Sequence, residues 1–421
     1  MRLTIIGINF TPEVTGVAPY TTALAAGLAR RGHGVTVITG VPHYPQWRAD
    51  RSGPRRFMTD DGVRVHRVSH PVPRSPGTLG RIRMEAVFAL RAMTARWHRP
   101  DVVIAVSPAL LSAAAVTARA RKARIPVGVV VQDIYTTGAA EMGVLHGPAQ
   151  AALQSLERRT LAGADGVVAI HDRFIDTLTR AGVERDAVSV VRNWSHVSAD
   201  AAAAREATRA ERGWGPDDVV VVHAGNMGRK QALETVVEAA RLADRRRSRV
   251  RFVLIGDGNQ RASLQRLAHA IDRVEFTPTL HEREYVSVLA AADVLLVSET
   301  AGLTEMALPS KITSYLVVGR PIVAATPEES VAADEIRSSG AGMVVAPGDP
   351  AGLLDALVTA AADESLVRQA ALRGPDHARR ILGETEAIDA YEAWCRALAE
   401  RRTGEPRCTT SPSADNRGVG A

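Results

Sequence analysis

Residues 293–325 read DVLLVSETAGLTEMALPSKITSYLVVGRPIVAA. An apolar run, Val294 to Val297, stops at Ser298 and Glu299. A polar loop follows with two turn signals, Gly302 and Pro309. The spacing then predicts a helix near Ser310–Val318 closed by Gly319, and Pro321 opens a second apolar run, Ile322–Ala325. Strand, loop, helix, strand is the repeating unit of a parallel sheet. In such sheets ligands sit beyond the carboxyl ends of the strands, where loops meet helix N-termini. Here that place holds Glu299, Glu305, Ser310 and Lys311. Carboxylates there can grip hydroxyls, and Lys311 with the free helix amides can grip phosphate.

The same alternation runs through most of the chain. Before residue 195 the apolar runs are Leu3–Ile8, Val35–Ile38, Val63–Val68, Val102–Val106, Val127–Val131, Val167–Ile170 and Val188–Val191. From Val219 a second series follows: Val219–Val222, Phe252–Ile255, Val274–Phe276, Val294–Val297, Ile322–Ala324 and Met343–Val345. Strands alternating with helices imply an α/β fold of two doubly wound parallel sheets. The length of 421 residues suits two or three domains. With 46% hydrophobic but only 4% aromatic residues, the cores must be built of Ala, Val and Leu. The two cysteines, Cys395 and Cys408, lie near the C-terminus and give neither a disulfide framework nor a metal-ligand pattern, which fits a reducing cytoplasm.

The net charge is +6. It reads either as plain arginine-rich composition or as attraction to anionic lipid or a phosphate-bearing substrate. Aromatics are not interleaved with the basic clusters, which argues against nucleic acid. Met1-Arg2 runs straight into a strand without a signal-peptide pattern. The most apolar stretch, 102–118, is broken by Ser107-Pro108, Ser112 and Thr117, and reads as a strand and then a helix with Ser107 as N-cap.

Several loops carry candidate chemistry. After the first strand, residues 9–18 (NFTPEVTGVA) lack a dinucleotide fingerprint; Gly16 is either a turn glycine or a point of backbone approach to a ligand. Asp133 ends the fifth strand, placed for chemistry or for capping a helix. The segment 79–99 has apolar residues at helical spacing and Arg81, Arg83, Arg91, Arg96 and Arg99, so it is a packed helix with a basic face or a membrane-surface contact. In the second series, HAGNMGRKQALE (223–234) places Gly225, Asn226, Gly228, Arg229 and Lys230 before a long helix, a geometry that suits a diphosphate. It is not a Walker A loop. His281-Glu282-Arg283-Glu284-Tyr285 has the outline of a zinc motif but lacks its second histidine, and no metal site is expected.

Pro309-Ser310-Lys311 with Gly319-x-Pro321, together with Gly225-Asn226-x-Gly228-x-Lys230, resembles the donor site of retaining GT-B glycosyltransferases of family 4, colanic-acid and O-antigen type. The likeness covers about residues 1–400. It implies the GT-B fold: a Rossmann-like acceptor-side domain at 1–195, a linker at 196–216 and a Rossmann-like nucleotide-sugar domain at 217–385. It also implies that a C-terminal helix at 386–402 crosses back to the first domain, and the polar composition of 403–421, which lies outside the residues described below, predicts a disordered tail. It implies transfer of a sugar from a nucleoside diphosphate sugar to an acceptor hydroxyl, without cofactor or metal, in envelope polysaccharide or glycolipid synthesis. It implies Lys230, Arg229, Asn226, Gly225, Gly16, Ser310 and Lys311 at the diphosphate. Gly256, Asp257, Gly258, Pro278, Thr279, Leu280, Glu299 and Glu305 fall at the nucleotide or sugar, with Asp133, Glu299 and Lys230 catalytic. The family's second glutamate position is Ser314 here, and Glu305 is the candidate replacement. A lipid-linked acceptor and a cytoplasmic location, peripheral on the membrane, follow as expectations. A sugar-nucleotide epimerase and a non-catalytic sugar-nucleotide-binding subunit remain as alternatives.

Overall fold

The computed structural model describes residues 1–14, 16–44, 46–74, 77–134, 147–195, 197, 205–302 and 309–401. Two sheets carry the architecture. The first contains β1 (Arg2–Ile6), β2 (Gly34–Thr39), β3 (Arg56–Met58), β4 (Arg64–Arg67), β5 (Val102–Ser107), β6 (Val127–Val131), β7 (Gly166–Ala169) and β8 (Val188–Val190), in the order β3-β4-β2-β1-β5-β6-β7-β8. All neighbours pair in parallel except β3 with β4. The second contains β9 (Val219–Ala224), β10 (Val250–Ile255), β11 (Val274–Thr277), β12 (Val294–Ser298), β13 (Ile322–Ala325) and β14 (Gly342–Val345), all parallel, in the order β11-β10-β9-β12-β13-β14. Helices cover both faces, so the central strands are buried over most of their length. That double burial is why the strands read as unbroken valine and isoleucine runs.

In both sheets the strand order reverses beside the first strand, between β1 and β5 and between β9 and β12. A crevice opens there at the carboxyl ends. Every apolar run of the sequence is a strand within one or two residues of its expected ends. Ser107 proves to be the last residue of β5 rather than an N-cap; the following helix starts at Leu110 behind Ala109. The run 199–212 contains the helix Arg205–Glu211, whose Arg205 and Arg209 pair with Asp293.

The last helix, Glu384–Arg401, packs on the first sheet. Its Ile388, Tyr391, Trp394 and Leu398 join Leu3, Ile5, Leu24 and Leu28 in one core. Each such side chain contributes roughly 1.5–3 kcal/mol by burial. Glycines make the contact possible: a Cβ at Gly128 would stand 2.1 Å from Trp394 Cη2, and one at Gly27 2.3 Å from Ile388 Cδ1.

A buried ionic knot joins the two halves. Glu335, on the helix Val331–Ser339, is 1% exposed. It accepts from His377 Nε2 at 2.8 Å, pairs with Arg192 and lies 3.7 Å from His171 Nε2. Arg173 adds a pair to Asp334 and donates to the Glu329 carbonyl at 2.6 Å. Burial alone would raise the Glu335 carboxyl, but hydrogen bonds from His171 and His377 and the charge of Arg192 hold it well below the usual carboxylate range.

Candidate active site

The loops after β9 and β10 are knitted by their backbones. Gly225 N donates to Ile255 O at 2.9 Å, Met227 N to Asp257 O at 2.8 Å and Gln260 N to Met227 O at 3.0 Å. Gly256 has φ +128, and a Cβ there would lie 2.0 Å from Gly225 O, so only glycine permits this crossing. Gly258 makes the next one, where a Cβ would lie 2.5 Å from Met227 O and 2.7 Å from Asn226 Oδ1. Lys230 O then accepts from Thr300 N at 2.9 Å, tying this double loop to the end of β12.

Around that frame the charged groups collect. Lys311 opens the helix Lys311–Val318, which Gly319 closes in the left-handed conformation at φ +71. Its Nζ lies 3.0 Å from His223 Nε2 and beside Gly225, and it interacts with Glu299. Burial pulls the amine down to about 7, with Glu299 opposing the shift. Glu299 accepts from Thr326 Oγ1 at 2.6 Å, and Thr326 Oγ1 lies 2.9 Å from Ser330 Oγ.

From the first sheet, Asp133 follows β6 and faces Lys230. Burial raises its carboxyl to about 6, and the Lys230 charge lowers it in part. Tyr44 stands close enough for Asp133 to raise its phenol, after the larger effect of burial. A Cβ at Gly16, whose φ is +66, would touch the Tyr44 ring at 3.3 Å. The buried Glu13 binds the two loops together, accepting from His43 N at 2.7 Å, Tyr44 N at 2.8 Å and Asn9 Nδ2 at 2.9 Å. Tyr20 reaches across to hydrogen-bond Thr313 on the lysine-bearing helix.

The structure thus brings Lys230, Lys311, Glu299 and Gly225 to one crevice of the second sheet, with Asp133, Tyr44 and Gly16 opposite. Gly256, Asp257 and Gly258 form the neighbouring edge. Asn226, Arg229 and Ser310 are exposed at its rim, and the Ser310 side chain makes no cap. Pro278 and Thr279 are exposed beyond β11, while half-buried Leu280 packs into the core. Glu305 lies outside the described residues. Ser314 is buried and hydrogen-bonds Tyr285. Among the described residues no group of three or more His, Cys, Asp or Glu is placed to hold a metal ion. Sequence reasoning quoted His223 within its motif and gave it no role; Tyr20, Tyr44 and Thr326 were missed outright. The one available signal was a histidine directly after a run of valines in β9.

Two parallel-sheet lobes facing a lysine-bearing cleft are the form of a GT-B glycosyltransferase. Residues 15–194 match the family model described as "Glycosyl transferase 4-like domain", and residues 218–363 match "Glycosyl transferases group 1". Over 337 residues the chain is 30% identical to the Escherichia coli K12 protein described as "Putative colanic acid biosynthesis glycosyl transferase WcaI", covering 76% of this chain and 82% of that protein. It is 30% identical over 300 residues to the GDP-mannose-dependent alpha-mannosyltransferase of Mycobacterium tuberculosis, covering 70% and 72% of the two chains. Sucrose-phosphate synthase from Thermosynechococcus elongatus shares the fold, with a TM-score of 0.75 at 17% identity over 95% of this chain and 99% of that one. The chain belongs to the GT-B glycosyltransferases of family 4.

Proposed function

We propose that the enzyme transfers a sugar from a nucleoside diphosphate sugar, with retention, to a hydroxyl of an envelope polysaccharide or glycolipid precursor. The observation that carries this reading is the pair of lysines at the carboxyl ends of the second sheet, opposed by a desolvated carboxyl from the first. Lys230, Lys311 and the amides of the helix Lys311–Val318 neutralise the leaving diphosphate without a metal ion. Glu299, held by Thr326, accepts hydrogen bonds from donor-sugar hydroxyls. Asp133 orients the acceptor or the sugar at the reacting face. The anomeric carbon–phosphate oxygen bond breaks and its electron pair stays with the diphosphate. The acceptor oxygen bonds to that carbon on the same face, and its proton goes to the leaving phosphate oxygen.

The helix Thr78–Thr94 supports a lipid-linked acceptor. Its inner face buries Met84, Phe88, Ala89 and Ala92. Its outer face presents a second apolar stripe, with Leu79 83%, Ile82 44%, Leu90 63% and Met93 38% exposed. Arg81, Arg83 and Arg91 flank it. An apolar stripe with basic flanks suits an anionic membrane surface. The Arg81 guanidinium lies 5.0 Å from the Trp47 ring, and Trp47 contacts Tyr44 beside Asp133, so this surface leads into the cleft. Among the described residues no helix is long and apolar enough to cross a membrane.

The test is a donor screen with purified protein and a lipid-extract acceptor, followed by NMR of the product anomer. Transfer that keeps the donor's anomeric configuration and proceeds in EDTA supports the proposal. Inversion, metal dependence, or conversion of the donor without acceptor contradicts it.

A further inference from the structure

His223 is fully buried at the end of β9, at the point where the β9–β12 ladder stops. The two strands pair at Val221 with Val294 and at Val222 with Leu295. Past that point the Leu296 carbonyl receives side chains instead, His223 Nδ1 at 3.1 Å and the Tyr315 hydroxyl at 3.4 Å. A carbonyl only accepts, so Nδ1 of His223 carries the hydrogen and Nε2 holds a lone pair. Lys311 Nζ, 3.0 Å away, donates to it. Burial and the Lys311 charge push the imidazole well below its ordinary range, and the ring stays neutral.

Gly225 leaves the other side of the amine open. Its φ is +134, and a Cβ there would lie 3.2 Å from Lys311 Cε and 3.4 Å from Nζ. Among the described residues the titratable groups against Lys311 are His223 from β9 and Glu299 from the end of β12. Lysine itself is scarce. Of 52 Lys and Arg residues only Lys122, Lys230 and Lys311 are lysines, and two of them stand at this cleft. An ammonium is compact and can shed its proton when buried; a guanidinium cannot.

We propose that His223 is a positioning residue of the donor site: its neutral ring accepts one N–H of Lys311 and turns the remaining hydrogens through the Gly225 notch toward the donor's diphosphate. This rests on the reading of the cleft as a nucleotide-sugar site and deepens it. Without ligand the amine is half-protonated near neutrality, because burial offsets its charge. A diphosphate in the notch restores the charged form, so one proton passes from solvent to Lys311 as the donor binds. Donor affinity then falls as pH rises above neutrality, by up to about tenfold per unit.

Lysine labelled with 13C at Cε gives a spectrum of three signals, which single Lys→Arg variants assign. The expected result is a Lys311 signal that titrates near neutrality in the free protein and moves upward by at least a unit with UDP or GDP, while the signal of exposed Lys122 does not respond to either nucleotide. His223→Phe removes the acceptor and should lower the Lys311 midpoint. It should also raise the donor KM about tenfold with the acceptor KM unchanged. His223→Gln offers an amide oxygen to Lys311 and should restore both. Binding of UDP or GDP that shifts the Lys230 signal while Lys311 titrates as an ordinary lysine throughout overturns the proposal and leaves the donor site standing. Equal donor KM in wild type, His223→Phe and His223→Gln also overturns it. If neither nucleotide moves either cleft lysine, the donor-site reading fails and this inference fails with it.

Discussion

Thr326 Oγ1 donates to Glu299 Oε2 across 2.6 Å, joining the ends of the neighbouring strands β12 and β13. The bond fixes the carboxylate that stands nearest Lys311, and Ser330 holds the threonine in turn while capping the helix Val331–Ser339 at Ala333 N over 3.0 Å. Thr326→Val keeps the shape and removes the donor. We expect it to lower kcat by about tenfold, on the scale of one hydrogen bond to a charged group, with nucleotide affinity little changed. Steady-state kinetics beside calorimetric nucleotide titration checks this, and an unchanged kcat counts against Glu299 as a positioned group.

Lys230 has the larger part in the proposed mechanism. Its main chain is pinned by Thr300 N, and its charge faces Asp133. Lys230→Ala should cut transfer by about a hundredfold or more, since it removes a charge that the proposed mechanism aims at the leaving group. Circular dichroism and the melting temperature should stay near wild type. Near-normal turnover in this variant removes Lys230 from the diphosphate site.

Asp133 gives a pH signature. Burial raises its carboxyl from 3.8 to about 6, so the folded state holds the proton more readily than the unfolded chain. The stability from this group is complete below 3.8 and is lost as pH rises through about 6. Asp133→Asn should therefore melt a few degrees higher than wild type at neutral pH. The gap should narrow as pH falls toward 4. If the ionised form acts, wild-type kcat falls as pH drops through the same region, while the variant is slow throughout. Thermal melts and kcat over this pH series decide both points. A destabilised Asp133→Asn at neutral pH contradicts the desolvated carboxyl.

Glu335 behaves in the opposite sense. Its carboxyl is held well below the ordinary 4.5, so its stabilising effect is present above that pH and is lost as acid approaches the folded-state value. Glu335→Ala leaves Arg192 and two histidines around an empty position and should cost about 3–5 kcal/mol. Denaturant melts at neutral pH measure the loss. The acid-side decline in wild-type stability should be flatter in the variant.

Leu79→Ser with Leu90→Ser breaks the outer stripe of the helix Thr78–Thr94 without touching its buried face. Co-sedimentation with phosphatidylglycerol vesicles should fall several-fold, and turnover of a short water-soluble acceptor should not change. Equal sedimentation of variant and wild type in low salt removes the membrane contact.

Much of this fold is legible in the sequence because buried parallel strands leave little choice but valine, isoleucine and leucine. The loop–helix–strand unit at 309–325 is equally plain, since Pro309, Gly319 and Pro321 mark its turns. The edge strand β3 escapes notice: Arg56-Phe57-Met58 is short and largely exposed, so no apolar run marks it. The partnership of Asp133 with Lys230 is invisible for a different reason. The two come from different sheets, and only the closing of one lobe on the other joins them. Glu335 and Arg209 look like surface charge on short helices, yet both are buried among partners distant in sequence. Ser314 illustrates the converse. Its position is found by counting from Gly319, but its contact with Tyr285 depends on how two helices pack.

The decisive measurement is a crystal structure grown with saturating UDP or GDP. We predict one nucleotide in the crevice between β9 and β12, with its diphosphate within hydrogen-bond distance of Lys230 Nζ and Lys311 Nζ and beside Gly225. An empty crevice with both nucleotides, or a nucleotide ordered elsewhere on the protein, contradicts the assignment.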